Sequence, residues 1–111
     1  MILLFIKMNA LPEKRKELLQ TLEAIIERVR KETGCVKANL YQNMDNDRGF
    51  MLIEEWRSQE YLENHIRSDI FSVLLGANGL LDQTAVIESH AVSHSSGMEA
   101  LLKMRRLSEN S

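Results

Sequence analysis

The stretch Met1–Asn9, MILLFIKMN, predicts a β-strand because it is a short apolar run that stops before a turn at residues 10–12. Successive side chains of a strand point to opposite faces, so the run divides into two apolar sets. One face carries Ile2, Leu4, Ile6 and Met8, and the other carries Leu3 and Phe5. A strand with apolar residues on both faces belongs in a sheet that is covered on both sides.

A helix and a hairpin are predicted after this strand. The helix begins at Pro12, which suits a first helical position, and ends before Gly34, which suits a left-handed cap. Two further strands, Cys35–Asn43 and Gly49–Arg57, flank a turn rich in Asp and Asn. This arrangement predicts an antiparallel pair.

The second half of the chain repeats the alternation of helix and strand. Ser58 and Ser68 each precede a helical segment, residues 76–79 interrupt the second segment, and a last strand is predicted over residues 82–92. The order βαββαβ predicts a ferredoxin-like α+β fold, with four antiparallel strands and two helices on one face of the sheet.

The open face of this sheet predicts self-association. In the third strand, too, apolar residues occur on both faces, with Phe50, Leu52 and Trp56 opposing Met51 and Ile53. Two helices cover one face of a four-stranded sheet, so the other face requires a partner. A second copy of the chain is the economical partner, which predicts a homodimer in the form of a dimeric α+β barrel.

The length of 111 residues predicts one compact domain, which we assign to residues 1–92. Residues 93–111 form a C-terminal tail that consists of a Ser-rich linker and a short amphipathic segment, Met98–Leu107. This segment is too short to be helical alone. We favour its docking on the domain or on the dimer mate over membrane binding, since its basic charge is modest.

Charge and cysteine content narrow the class of protein. The 14 Lys and Arg residues against 16 Asp and Glu residues give a net charge of −2, which is not typical of a nucleic-acid-binding protein.

The single cysteine, Cys35, excludes an intrachain disulfide and lacks a local His or basic partner, which predicts an inert thiol in a reducing compartment. The longest apolar run, Ile2–Ile6, is far shorter than the ~20 residues of a membrane span. We therefore expect a cytoplasmic protein with no membrane partner.

Local motifs argue against several chemistries. Glu54 and Glu55 are adjacent on a strand, so they point to opposite faces and do not form a catalytic carboxylate pair with each other. His90 and His94, with Glu88, lie at a strand end and in a Ser-rich linker, without a defined metal-binding geometry. We therefore expect no metal site, and the chain has no Gly-rich phosphate-binding loop.

The stretch Glu54–Phe71, EEWRSQEYLENHIRSDIF, combines a strand-terminal Trp, a Ser-x-Glu, a helical His and a Ser-x-x-Phe. This pattern resembles the signature of the antibiotic biosynthesis monooxygenase family, and the resemblance covers residues 1 to about 92. It implies the dimeric α+β barrel and a homodimer. Family members of this kind oxidise quinols, phenols or anthrones with O2 and without metal, flavin or haem. The resemblance thus implies a monooxygenase that acts on a small aromatic substrate with O2 as co-substrate and no cofactor.

Such a reaction requires a base, because triplet oxygen accepts an electron readily only after the substrate has lost a phenolic or enolic proton. His65 is the candidate base, since an ordinary pKa of about 6.5 leaves an imidazole largely neutral at pH 7. The other candidate catalytic residues are Trp56 and Asn9. The candidate substrate-binding residues are Phe5, Asn39, Tyr41, Phe71 and Leu75.

Each of these residues also has a purely structural interpretation. A single His on an apolar helix face is often a hydrogen-bonded core residue, and Trp56 is a suitable packing anchor at the end of a strand. Tyr41 and Phe71 fit a core or a pocket wall, Asn39 fits a sheet edge, and Asn9 fits the start of a turn.

Three other functions stay open. A haem-degrading branch of this fold has a Trp in place of His65 and an iron-ligating His in place of Leu75, which argues against haem degradation here. An isomerase would use His65 as acid and base. A dimeric ligand-binding module is favoured by the apolar Leu52 and Leu62, where catalytic members have polar residues. Loss of activity below about pH 6.5 would favour the base-driven oxygenase over simple binding.

Overall fold

The computed structural model describes residues 1–109 as four β-strands, four α-helices and two short 3-10 helices. The strands and α-helices are β1 (Ile2–Asn9), α1 (Arg15–Val29), β2 (Cys35–Gln42), β3 (Gly49–Trp56), α2 (Gln59–Ile66), α3 (Asp69–Gly76), β4 (Val86–Ala91) and α4 (Met98–Glu109). The 3-10 helices are Pro12–Lys14 and Ala77–Leu80.

The four strands form one antiparallel sheet in the order β2-β3-β1-β4. Strand β1 lies in the centre, where Ile2 pairs with Trp56 at one end and Asn9 pairs with Gly49 at the other. This order confirms the predicted ferredoxin-like α+β fold, because the helical connections join β1 to β2 and β3 to β4, strands that are consecutive in the chain but not adjacent in the sheet.

The core lies between the sheet and the helices. It contains one of the two apolar sets that alternation separates in β1, namely Ile2, Leu4, Ile6 and Met8, and the apolar stripe of α1, of which Leu18 and Leu22 are fully buried. Burying one such Leu side chain contributes about 1.5–3 kcal/mol. Two titratable residues, Glu54 and His65, are also buried here, and burial of a charged group requires a partner.

The boundaries of two elements differ from the prediction. Lys14 leaves helical geometry (φ −112°, ψ 3°), so Pro12 opens a 3-10 turn and the α-helix begins at Arg15. Strand β4 begins at Val86 rather than at residue 82, because the Ala85 N–H donates to the Asn78 side chain at 3.2 Å instead of to β1.

Gly34 ends the connection from α1 to β2 and has φ +88°, a conformation that L residues with a side chain rarely adopt. A Cβ atom at this position would lie 2.1 Å from Cγ of Tyr61. The glycine therefore permits α2 to approach the start of β2, which brings the residues of the candidate site together.

The second face of the sheet, opposite the core, carries the partly exposed Leu3, Phe5, Met51 and Ile53. Helix α4 exposes Met98, Leu101, Leu102, Met104 and Leu107. Within residues 1–109, no helix combines the length and the apolar composition needed to cross a membrane.

Candidate functional site

His65 lies between two carboxylates that come from different elements. Its Nδ1 atom is 2.7 Å from Oε2 of Glu32, which follows the end of α1, and its Nε2 atom is 3.1 Å from Oε1 of Glu54 on β3. The side chains of His65 and Glu54 are each only 1% exposed, whereas that of Glu32 is 23% exposed. Glu32 therefore connects this buried cluster to the solvent.

The contact between His65 Nε2 and Glu54 Oε1 is close but does not have the geometry of a well-aligned hydrogen bond. Among the described residues, His65 Nε2 is the buried side-chain nitrogen without a hydrogen-bond partner, although Glu54 Oε1 is close. The indole Nε1–H of Trp56 donates to that same oxygen at 3.0 Å. Glu54 is thus held in place by Trp56.

Two aromatic rings enclose the imidazole. The Trp56 ring stacks on His65 with centroids 4.5 Å apart and an interplanar angle of 25°, and the Phe71 ring meets it edge-on at 5.4 Å. The cluster of Glu32, Glu54 and His65, with Trp56 and Phe71 around it, is called the histidine cluster below. These rings shield the imidazole from water, which strengthens its electrostatic interactions with the carboxylates.

The carboxylates change the proton affinity of His65. Burial opposes protonation of the imidazole, but Glu54 and then Glu32 outweigh burial and raise the pKa of His65 above its ordinary value of 6.5. The expectation of a largely neutral imidazole at pH 7 is therefore corrected toward the imidazolium.

The carboxylates of Glu54 and Glu32 also influence the thiol of Cys35. Burial, followed by the charges of Glu54 and Glu32, raises the pKa of Cys35 to about 11. The side chain is a protonated thiol at neutral pH and a poor nucleophile, in agreement with the inert thiol that the sequence predicts.

A groove of about 340 Å³ opens between α2 and the strands β1 and β4. Its apolar lining consists of Leu4, Leu62, Ile66 and Ile87, and its polar lining consists of Gln59, Glu63, Arg67 and Ser89. Glu54 is the cross-strand partner of Leu4, and such partners on one face have Cβ atoms about 5 Å apart. The histidine cluster therefore lies one strand away from the groove, behind its apolar wall.

The predicted site residues divide between two ends of the sheet. His65, Trp56 and Phe71 are in contact in the histidine cluster. Asn9 and Tyr41 instead line a depression of about 540 Å³ at the opposite end. Along β1, Asn9 is seven residues from Ile2, which pairs with Trp56. At ~3.3 Å per residue, this separation is about 23 Å. One small molecule does not contact both groups within a single protomer.

Asn9 is held by turn residues. Its Nδ2 donates to Asp82 at 2.6 Å, and its Oδ1 accepts from Asn46 at 2.6 Å. The side chain thereby ties the end of β1 to the β2–β3 turn and to the segment before β4.

Within residues 1–109, Phe5, Asn39 and Leu75 make no hydrogen bond or ring contact with His65. Phe5 is on the open face, where its ring meets His90 edge-on at 5.3 Å. Asn39 pairs in register with Ile53, and its Oδ1 lies 3.4 Å from Nη2 of Arg30. Leu75 on α3 is 47% exposed.

The depression at the far end is the larger cavity, but the groove is the better candidate for chemistry. Among the described residues that line the depression, Lys7 and Tyr41 are the two with titratable side chains. The groove, in contrast, adjoins the histidine cluster and carries Glu63 and Arg67. Apolar walls with a few convergent polar groups are typical of small-molecule sites.

The sequence reasoning missed Glu32 and Glu54 as partners of His65. Glu54 carried a usable signal, because alternation places it on the same face of β3 as Leu52 and Trp56, where a carboxylate needs a partner. Glu32 carried no such signal, since it lies in a connection whose approach to α2 is a tertiary contact. The described residues contain no group of three acidic, His or Cys side chains that could hold a metal ion.

Fold and site together define a small ferredoxin-like α+β protein with an apolar groove and a buried, charge-flanked histidine. The sequence model of the antibiotic biosynthesis monooxygenase family matches residues 1–74, and the chain belongs to this family. Family membership indicates a monooxygenase-like or small-molecule-binding role.

Three relatives illustrate the similarity. A conserved protein from Methanosarcina mazei Go1 is 31% identical, with a TM-score of 0.75 over 80% of this chain and 89% of that chain. A solved antibiotic biosynthesis monooxygenase is 20% identical, with a TM-score of 0.78 over 85% of this chain and 100% of that chain, which supports the fold alone. The uncharacterized protein sll1783 of Synechocystis sp. (strain ATCC 27184 / PCC 6803 / Kazusa) is 30% identical over 60 residues, which are 54% of this chain but only 41% of that relative.

Proposed function

We propose that this protein is a cofactor-independent monooxygenase that oxidises an electron-rich phenol or quinol with O2. The substrate ring lies in the groove between α2 and the strands β1 and β4, and the histidine cluster takes part in removing its proton. The observation that carries the proposal is that Leu4, which lines the groove, pairs across the sheet with Glu54, the buried carboxylate 3.1 Å from His65.

The chemistry balances without an external reductant. Conversion of a phenol to a quinone consumes one O2: one oxygen atom enters the ring, and the other leaves as water with two hydrogens of the substrate. All four electrons come from the substrate, so the task of the protein is to hold the ring and to remove a proton before electron transfer. Glu32 is the partly exposed member of the histidine cluster, and it transfers that proton to the solvent.

His65 acts as a base only in its neutral form. Because Glu54 and Glu32 raise the pKa of His65, the pH at which activity appears lies above 6.5, the ordinary pKa of an imidazole. The same carboxylates stabilise the imidazolium once the proton has been accepted, which favours proton removal from the substrate.

The active form in this proposal is a homodimer, and proteins of this family are typically dimeric. The open sheet face carries Leu3, Phe5, Met51 and Ile53, and a second copy that packs there would remove these side chains from water. The proposed location of the dimer is the cytoplasm.

Oxygen consumption tests the proposed reaction. The metal-stripped protein is mixed with a panel of quinols and anthrones in an oxygen electrode, and autoxidation is subtracted. We expect uptake by the wild type and a loss of about 10²- to 10⁴-fold in His65→Gln, the range typical of a removed general base. Glu23→Gln, which changes an exposed carboxylate on α1, is the matched control and should keep full uptake. Equal uptake by His65→Gln would remove His65 from the mechanism.

A binding role without turnover is the second candidate, and it is favoured by the 1% exposure of the His65 side chain. In that case the histidine cluster only stabilises the fold beside the groove. Ligands would then bind the groove, measured by equilibrium dialysis, while no member of the panel would raise oxygen uptake above autoxidation.

A further inference from the structure

One wall of the groove carries a cation with no partner of its own. Arg67 lines the groove at the end of α2, and within the described part of the chain its guanidinium makes no ion pair or side-chain hydrogen bond. Strand β4 contributes Ser89 and Ile87 to the lining of the same groove, and β1 contributes Leu4. An unpaired guanidinium beside an apolar floor is suited to an anionic oxygen on a flat apolar molecule.

The remaining polar groups that line the groove are Gln59 and Glu63, both on α2. Glu63 precedes Arg67 by one helical turn, a spacing that allows an ion pair, yet the two do not come within 4 Å in this structure. Glu63 is therefore the group that would compete with a bound anion for the Arg67 guanidinium. Gln59 is neutral and does not compete. A ligand oxygen that reaches Arg67 replaces water rather than an existing ion pair.

We propose that the groove is specific for planar aromatic molecules that carry an anionic oxygen, a phenolate or a carboxylate, and that Arg67 holds this oxygen while Leu4, Leu62 and Ile87 contact the ring. This inference rests on the proposed function for the location of the substrate, and it names the substrate class. For an oxidation that begins with a phenolate, Arg67 is also the group that stabilises the deprotonated substrate.

The size and lining of the groove agree with this ligand class. A volume of about 340 Å³ lies at the lower end of the range for small-molecule pockets, so it suits a molecule of two or three fused rings rather than a large cofactor. Since the groove is open to solvent at Arg67, the charge contributes modestly to affinity, and selectivity between an anion and its neutral analogue is the sensitive measurement.

The test compares an anionic ligand with a neutral ligand of nearly the same shape. Binding of 2-naphthoate and of the neutral 2-naphthamide is measured by isothermal titration calorimetry at pH 7.5, without oxygen turnover. We expect the wild type to prefer naphthoate, and Arg67→Gln to weaken naphthoate by about 3- to 10-fold while naphthamide stays unchanged. Glu63→Gln should tighten naphthoate, because it removes the competing carboxylate.

Arg57→Gln is the matched control, since Arg57 is an exposed arginine at the end of β3 that does not line the groove. It should leave both affinities unchanged. Equal binding of the two ligands by the wild type, or equal losses in Arg67→Gln and Arg57→Gln, would overturn the inference. Because the readout is binding alone, failure of oxygen uptake with intact naphthoate selectivity would contradict only the proposed reaction.

Discussion

The substitution Glu54→Gln tests whether the histidine cluster carries charge in the folded protein. It keeps the shape of the side chain and leaves an oxygen to accept from Trp56 Nε1, but it removes the negative charge 3.1 Å from His65 Nε2. Removing one partner of a buried ion pair typically costs about 3–5 kcal/mol. Here Glu32 remains 2.7 Å from Nδ1, and the imidazole can release its proton, so we expect a smaller loss of about 1–3 kcal/mol near pH 6.

The pH dependence of this loss has a defined sign. The pKa of His65 is raised in the folded state, so the stabilisation by the imidazolium is complete below about pH 6.5 and is lost as the pH rises through the raised value. Near pH 9 the imidazolium contributes less than near pH 6, so we expect Glu54→Gln to cost less there.

Urea unfolding at fixed protein concentration measures both values. Trp56 is the single tryptophan and is fully buried, so its fluorescence reports the transition, and Glu23→Gln serves as the exposed control. A loss that is the same at both pH values, or larger near pH 9, would refute the charge argument and leave Glu54 as a neutral hydrogen-bond acceptor for the indole.

Four further outcomes follow from the structure. Gly34→Ala should lower the free energy of unfolding by about 2 kcal/mol or more, because φ is +88° and the new Cβ overlaps an aromatic ring, whereas Gly79→Ala, with open space around it, should change it by less than about 0.5 kcal/mol in the same urea assay. Phe5→Glu on the open sheet face should convert the proposed dimer to a monomer by light scattering, and an unchanged mass would contradict packing through that face. Alkylation of Cys35 by iodoacetamide at pH 8 should be roughly 100-fold slower than that of a thiol with the ordinary pKa of 9.0, because the pKa of Cys35 is about 11. A rate like that of a free thiol would contradict the raised pKa. The pH–rate profile of oxygen uptake should rise with a midpoint above pH 6.5, and a midpoint at or below that value would exclude His65 as the titrating base.

Local pattern was sufficient for most of the fold. The alternation of β1 separated its two apolar faces, one of which is buried in the core, and the turn at residues 43–48 identified the β2–β3 hairpin. The sequence pattern did not predict the residues at which helices and strands begin, because these boundaries depend on single hydrogen bonds. The late start of β4, for example, follows from the bond between Ala85 and the Asn78 side chain.

The candidate site was predictable only in part. His65, Trp56 and Phe71 lie within one segment of the chain, and the fold brings them into contact. Asn9 and Tyr41 were grouped with them by chemical type alone, yet they lie at the other end of the sheet. Residue type shows what a side chain can do, whereas the strand register decides which side chains are neighbours.

By itself, the sequence determined the order of strands and helices, the division of β1 into two apolar faces, and the segment that places this chain in its family. These properties depend on contacts between near neighbours in the chain and on the periods of helix and strand, which are visible in the order of residues. The tertiary structure alone decided that Glu32 and Glu54 meet His65 from opposite sides, 33 and 11 positions away. The proton affinity of that imidazole depends on charges a few ångströms away in space, and only the packing of α1 and α2 on the sheet brings them there.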